Sequence, residues 1–172
     1  SEMCIRDRPK TEYAKSKIIS EKKLYKFCKN IPLIIIRIPG VYGFGDNFNS
    51  TVGHLIKQSY LYKTMLLNNN GQEKRDYIYI DDLCKIIIKL ISKQFEGNVN
   101  IVSGKSISIK KISLSIAKIS KILIKFCNFK SNKKTEHLLF DNKLLLSIFP
   151  NYRFTKLNFG IKKYIKQLKT KE

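Results

Sequence analysis

The 172 residues carry 34 Lys and Arg against 13 Asp and Glu, a formal net charge of +21, and 43% are hydrophobic. That length and apolar content suit one domain, or one domain with part of another, and no apolar run approaches the roughly 20 residues of a membrane span. The four cysteines, Cys4, Cys28, Cys84 and Cys127, are far apart, so C-x-x-C and Cys/His zinc patterns are excluded and no metal site is expected.

The positive charge has two readings. One is a footprint for nucleic acid or another anionic polymer. The other is a compositional bias in which Lys, Ile and Asn are abundant together. The lysines are spread along the chain and arginine is confined to Arg6, Arg8, Arg37, Arg75 and Arg153. Nucleic-acid readers favour clustered Arg interleaved with aromatics, so bias is the preferred reading. Three of the cysteines sit among apolar residues of helical pattern and are expected as reduced, buried thiols of a cytoplasmic protein.

Ser1–Arg8 (SEMCIRDR) has no apolar period and joins abruptly at Pro9. It reads as a non-native leader, of the kind translated from adapter DNA at the broken end of a sequencing read. Residues 9–172 then form the unit of interest, and the natural chain is expected to begin upstream. The pattern over Thr11–Lys29 predicts a helix, with Thr11 as N-cap and Ala14, Ile18, Leu24, Tyr25 and Cys28 as an apolar stripe. This helix places Tyr13 and Lys17 four residues apart, on one face. An ammonium held near a phenol favours the phenolate, which fits a tyrosine for acid or base work near neutral pH.

Pro32–Ile38 (PLIIIRI) is a continuous β-branched run, the pattern of a strand buried on both faces. Pro39–Asp46 (PGVYGFGD) reads as the loop at its C-terminal end, where ligands bind in open α/β sheets. Its glycines do not form G-x-G-x-x-G. Thr51–Leu61 is helical, with Val52, Leu55, Ile56 and Ser59 on one face. Met65–Leu67 is a short strand, Asn68–Gly71 a turn and Tyr77–Ile80 another strand. Asp81 or Asp82 is expected to cap a helix running to Ser92. Asn98–Val102 is a strand, and Ser108 a cap for a helix over Ile109–Ile124. The polar stretch Asn128–Thr135 is a loop. Asp141 caps a short helix to Ile148, Pro150 stops it, and Leu157–Leu168 is the last helix.

Four segments stand in sequence: Tyr13-x-x-x-Lys17, Arg37-Ile-Pro-Gly-Val-Tyr-Gly-Phe-Gly-Asp46, Arg75-Asp-Tyr-Ile-Tyr-Ile-Asp-Asp82, and Asn100-Ile-Val-Ser-Gly104 with Ser106-Ile-Ser-Ile109 leading into a helix. Together they resemble the C-terminal half of the extended short-chain dehydrogenase/reductases, the NAD-dependent epimerase/dehydratase family that modifies nucleotide sugars. The resemblance implies an α/β fold: the C-terminal part of a Rossmann-type parallel sheet with a small α/β substrate-binding lobe, the N-terminal dinucleotide-binding half missing.

It implies roles as well. Tyr13 is the catalytic acid/base, and Lys17 tunes it and bonds the nicotinamide ribose. Pro39 lines the nicotinamide end of the cofactor, NAD or NADP. Tyr42-Gly43 forms the turn below the sugar nucleotide. Arg75 grips the substrate phosphates, as an arginine fork suits a pyrophosphate; the alternative is a surface ion pair with Asp76 or Glu73. Asp82 is a helix cap rather than a ligand-binding residue. Asp46-Asn47-Phe48 followed by His54 is similar to the GDP-L-fucose synthase branch, which makes Asn47 a substrate contact and His54 a second acid. An amphipathic-helix histidine without chemistry is the alternative for His54. Asp141 sits where family members place an aspartate near the substrate, and a helix cap explains it equally.

Two departures bear on the substrate. Gly40 stands where many members carry an Asn that helps hold the diphosphate, and Lys130–His137 lacks the features that often close over the nucleotide. The glycine-rich loop, the residue choosing NAD or NADP and the Ser/Thr of the catalytic triad would all precede Tyr13. The truncated chain is therefore expected to be inactive, to hold NAD(P) weakly and to expose apolar surface. The parent is expected to be a cytoplasmic homodimer acting on a nucleotide sugar, with no nucleic-acid or membrane partner. The rivals are a basic non-catalytic module for nucleic acid or anionic polymer, and a family member that binds nucleotide sugar without redox chemistry.

Overall fold

The computed structural model describes residues 11–123, 125–129 and 140–170. The leader at 1–8, Cys4 and the loop at 130–137 lie outside them. Helix α1 (Glu12–Phe27) opens the described chain and leads into β1 (Ile34–Arg37) and β2 (Gly40–Tyr42). Helix α2 (Thr51–Tyr62), β3 (Thr64–Asn68), a 3-10 turn (Asn69–Gly71), β4 (Lys74–Arg75) and β5 (Tyr77–Tyr79) follow. Then come α3 (Ile80–Ser92), β6 (Gly97–Asn100), β7 (Ile107–Ser108), α4 (Ile109–Ser120), β8 (Lys125–Phe129), α5 (Lys143–Ile148) and α6 (Leu157–Lys169).

The strands pair two by two. β1 runs parallel to β6, with Ile34 opposite Gly97 and Arg37 opposite Asn100. β2 is parallel to β5 and β3 to β8. Among the described residues only β4 and β7 pair antiparallel, Arg75 facing Ile107. Parallel pairs need long crossovers, and the helices between the paired strands make this an α/β fold.

Two apolar clusters hold it. The first gathers Val52, Leu55 and Ile56 of α2, Met65 and Leu67 of β3, Ile112 and Ile116 of α4, and Ile161, Tyr164 and Ile165 of α6, closed by Tyr42, Tyr77 and Tyr79. The second gathers Ile78, Leu83, Ile86, Leu90, Val99 and Ile101 under Leu145 and Phe149.

Two helices begin as the sequence leads one to expect. Thr11 accepts a hydrogen bond from the Ala14 amide at 3.1 Å, and Ser108 from that of Lys111 at 3.2 Å. Helix α2 buries Val52, Leu55, Ile56 and Ser59 together.

Elsewhere the structure corrects the pattern. The apolar stripe of α1 buries no residue, and the helix stops at Phe27. β1 is fully buried only at Ile35; Ile34 and Ile36 are half-buried against the second cluster. The loop after β1 contains strand β2, because Val41 and Tyr42 pair with β5. β6 stops at Asn100, two residues early; Ile101 and Val102 stay buried, and Ser103 meets the buried Asp76. Neither Asp81 nor Asp82 caps α3; the cap position is Tyr79, without a side-chain bond. Helix α4 ends at Ser120, since Lys121 adopts a left-handed conformation. The chain then enters β8, so Asn128 and Phe129 are strand rather than loop. Asn142, not Asp141, is the cap residue of α5, although Asp141 Oδ1 accepts from the Lys143 amide at 2.7 Å. The three described cysteines are free but not buried: Cys84 is exposed, while Cys28 and Cys127 are intermediate.

Candidate functional site

Helix α1 is fixed by two polar ties. Arg37, at the end of β1, donates from Nε to Glu21 Oε1 at 2.8 Å and from Nη2 to Glu21 Oε2 at 2.5 Å. Tyr25 Oη donates to Asn98 Oδ1 at 2.5 Å, and Asn98 lies opposite Ile35. Going from Glu21 to Tyr25 therefore moves backwards along β1, so helix and strand are antiparallel. Lys17 and Tyr13 are one and two turns beyond Glu21, about 6 and 12 Å further along the axis. Both project past the C-terminal end of β1, the end where open α/β sheets hold ligands. Tyr13 is 71% exposed, and Lys17 Nζ sits 5.2 Å from its ring centroid. The two side chains meet as their spacing predicts.

The second part of the site is organised by Asp76, which is wholly buried. Its carboxylate accepts from Ser103 N–H at 3.1 Å, Ser103 Oγ at 2.7 Å, Gly104 N–H at 2.7 Å and Lys105 N–H at 3.2 Å. Burial raises its carboxyl above the ordinary carboxylate range, and these donors oppose the rise. Its carbonyl accepts from the Gly40 amide at 3.2 Å. Asn142 Nδ2 donates to Ser103 O at 3.0 Å, and Asn100 Nδ2 to Asp141 O at 3.4 Å. Asp76 thus links the Pro39–Gly40 segment, the 103–105 turn and, through that turn, the segment bearing Asp141.

Gly40 is required here. A Cβ at that position would lie 2.8 Å from the buried Tyr77 ring. Arg75, next to the hub, is exposed and bonded to Glu73 through Nε at 2.8 Å and through Nη2. Of the two acidic neighbours the sequence offered it, the partner is Glu73, because Asp76 is committed to the turn.

The third part is the loop after β2 and the start of α2. Asp46 accepts from Tyr164 Oη, Ser50 Oγ and the Phe48 amide, the last at 2.8 Å. Asn47 and Phe48 both have positive φ, 49° and 60°. His54 is exposed, with Nε2 at 3.0 Å from Gln58 Nε2. Since Gln58 Oε1 accepts from the Leu66 amide at 3.1 Å, its NH2 faces the imidazole. His54 Nε2 is then the acceptor and Nδ1 carries the proton.

The structure joins Tyr13 to Lys17 directly and Pro39 to Asp141 through Asp76. Asn47 and His54 form a separate group, and Arg75 touches neither group by hydrogen bond. The structural roles of Asp76, Asp46 and Tyr164 were not read from the sequence. The adjacent Arg75-Asp76 pair hinted at one charge facing out and one facing in.

The chain matches the NAD dependent epimerase/dehydratase family over residues 1–102. A Bacillus subtilis protein named as an uncharacterised UDP-glucose epimerase is 32% identical over 116 residues, 65% of this chain and 37% of that one. The GDP-6-deoxy-D-talose 4-dehydrogenase of Aggregatibacter actinomycetemcomitans is 27% identical over 155 residues, 87% of this chain and 53% of that one. The chain therefore spans about half or less of the length of these relatives. The fold of Thermus thermophilus UDP-glucose 4-epimerase, solved in complex with NAD, superposes with a TM-score of 0.81 at 18% identity, over 94% of this chain and 55% of that one.

Proposed function

We propose that this chain, which belongs to the NAD dependent epimerase/dehydratase family, carries the acid/base pair and the substrate lobe of an enzyme acting on a nucleotide sugar. Residues 9–172 are read as the C-terminal half of that enzyme. The observation that carries the proposal is the placement of Tyr13 and Lys17. The two ties from α1 to β1 and β6 set them side by side, exposed, beyond the C-terminal end of the parallel strands.

The residues present fit one end of NAD and not the other. Tyr13, Lys17 and Pro39 stand where a nicotinamide and its ribose would be met, while the sequence contains no G-x-G-x-x-G phosphate loop. NAD, when bound, supplies redox chemistry at a sugar carbinol. Tyr13 exchanges a proton with the sugar oxygen, and Lys17 places positive charge beside it. Arg75 takes the diphosphate. Its pair with Glu73 is exposed, with side chains 45% and 35% accessible, and such pairs contribute little, so a diphosphate can replace the carboxylate. Asn47 and His54 border the sugar, with His54 Nδ1–H as a hydrogen-bond donor to it.

The substrate half of the proposal is tested by ligand-observed NMR with UDP-glucose, GDP-mannose and dTDP-glucose on the chain alone. Binding of at least one is expected, weakened about tenfold by Arg75→Ala, in line with the loss of a charge-assisted bond. No binding of any of the three would sink it. Calorimetry addresses the cofactor half: NAD(H) or NADP(H) held at low-micromolar affinity by the chain alone would contradict the division into halves. In the complete enzyme, Tyr13→Phe is expected to lower kcat by at least about 100-fold.

A further inference from the structure

The loop between β2 and α2 is held in a conformation that its own residues do not favour. Asn47 and Phe48 are consecutive left-handed residues. Asn tolerates that region, and a bulky aromatic does so rarely. Something outside the loop must hold it. Of the three donors on the Asp46 carboxylate, the Phe48 amide and Ser50 Oγ belong to the loop itself. The third, Tyr164 Oη, comes from α6, 118 residues away in sequence.

The Tyr164 ring also lies parallel to that of Phe48, 16° between planes with centroids 6.4 Å apart. Tyr164 is 1% exposed, and burial together with the carboxylate pushes its ionisation well above the usual range for a phenol, so the hydroxyl stays a donor. The bond is passed on to α2. Asp46 holds Ser50 Oγ, and Ser50 Oγ caps the helix by accepting from Gly53 N–H at 2.9 Å. Gly53 fits closely, since a Cβ there would lie 2.6 Å from Asp46 Oδ2. His54 is the next residue.

We infer that Tyr164 is a positioning residue: through Asp46 it fixes the left-handed pair Asn47–Phe48 and the N-terminus of α2, and so sets the sugar-side wall of the site. The inference rests on the proposed nucleotide-sugar function for its consequence, and on the loop geometry alone for its mechanism.

The test is Tyr164→Phe in the 172-residue chain, which removes the hydroxyl and keeps the ring against Phe48. The amides of Phe48 and Gly53 should exchange with deuterium about tenfold faster, the scale of one charge-assisted hydrogen bond. The α4 amides and the thermal midpoint should stay close to wild type. Asp46→Asn, which keeps an acceptor for the hydroxyl but removes the charge, should give a smaller acceleration at the same two amides. Unchanged exchange at Phe48 and Gly53 overturns the inference. So does acceleration spread equally over α4 and α6, because Tyr164 would then serve only the core.

A second measurement compares wild type and Tyr164→Phe for UDP-glucose, GDP-mannose and dTDP-glucose, where three- to tenfold weaker binding is expected. Equal binding by the two overturns the positioning role and leaves the proposed function standing. A wild type that binds none of the three overturns the proposed function, and the exchange data then still decide whether Tyr164 holds the loop through Asp46.

Discussion

Helices α1 and α6 both carry apolar residues at helical spacing, yet they are held by opposite means. α6 buries Gly160, Ile161, Tyr164 and Ile165 along one face. α1 buries none, and leaves Tyr13, Ile19 and Phe27 at 71%, 53% and 76% exposure. Its anchors are polar: the Glu21–Arg37 fork and the Tyr25–Asn98 bond. An apolar stripe stabilises only where a second surface meets it. α6 finds that surface on α4 and on the tyrosines of β2 and β5. α1 meets β1 and β6 through these bonds, and among the described residues it buries no side chain. The two apolar clusters thus draw no buried residue from the helix that bears Tyr13 and Lys17, and the position of that helix depends on a few directed bonds.

The contrast can be broken first in the core. Ile56→Ala or Ile112→Ala, each removing a fully buried side chain, should destabilise the chain by about 2–5 kcal/mol. Ile19→Ala on α1 should shift it by no more than about 0.5 kcal/mol. Urea midpoints measure both. An equal loss at Ile19 would mean that α1 is packed in solution, and the division drawn here would fail.

The next effect lies in α6 itself. Gly→Ala inside a helix normally gains about 1 kcal/mol from propensity. At Gly160 the added Cβ would meet Tyr42 Oη at 2.3 Å and Cζ at 3.0 Å, and Tyr42 is 1% exposed. Overpacking of this kind costs about 1–3 kcal/mol, so Gly160→Ala should be neutral or destabilising by up to about 2 kcal/mol. A stabilised variant in thermal unfolding would show that Tyr42 yields and that α6 is not keyed to it. Gly40→Ala, set against the ring of Tyr77, should behave similarly and without the compensating helical gain.

Much of this was legible in the sequence where the signal is local. The Thr11 and Ser108 caps, the buried face of α2 and the limits of α6 follow from spacing and cap chemistry within a few residues. The four motifs were legible as a set, because the family they resemble is the family the chain matches. What failed depended on distant partners. The stripe of α1 has helical period whether or not a surface covers it. β8 follows a helix that ends on the left-handed Lys121, and a lysine gives no stop signal, so the apolar pattern ran on to Ile124. The three residues of β2 are a strand only because β5 lies beside them. Asp46 and Tyr164 are 118 residues apart, and no pattern within either segment relates them. Asp82 looked like a cap because it opens a helix. It is instead a buried acceptor for Tyr152 Oη at 3.1 Å and the Thr155 amide at 2.7 Å, both far along the chain.

The smallest expected effects come from ion pairs, and they test whether α1 is held by direction rather than by area. Glu21 and Arg37 are half-buried, with side chains 19% and 23% accessible, and they meet as a two-bond fork. Glu21→Gln keeps the shape and one acceptor, and removes the charge and the second bond. Such a bond contributes about 1 kcal/mol net at a partly solvated site. Because α1 buries no residue, the loss should appear locally. Amides of α1 should exchange about fivefold faster, while the urea midpoint of the chain stays at its wild-type value. Lys163→Gln is the matching control on α6. It removes an exposed pair with Asp81 from a helix already held by Ile161, Tyr164 and Ile165, and neither exchange nor midpoint should change measurably. If Glu21→Gln lowers the global midpoint, or if α1 exchange does not respond, the fork is not what sets the helix. The placement of Tyr13 and Lys17 beyond the end of β1 would then have to rest on the Tyr25–Asn98 bond alone.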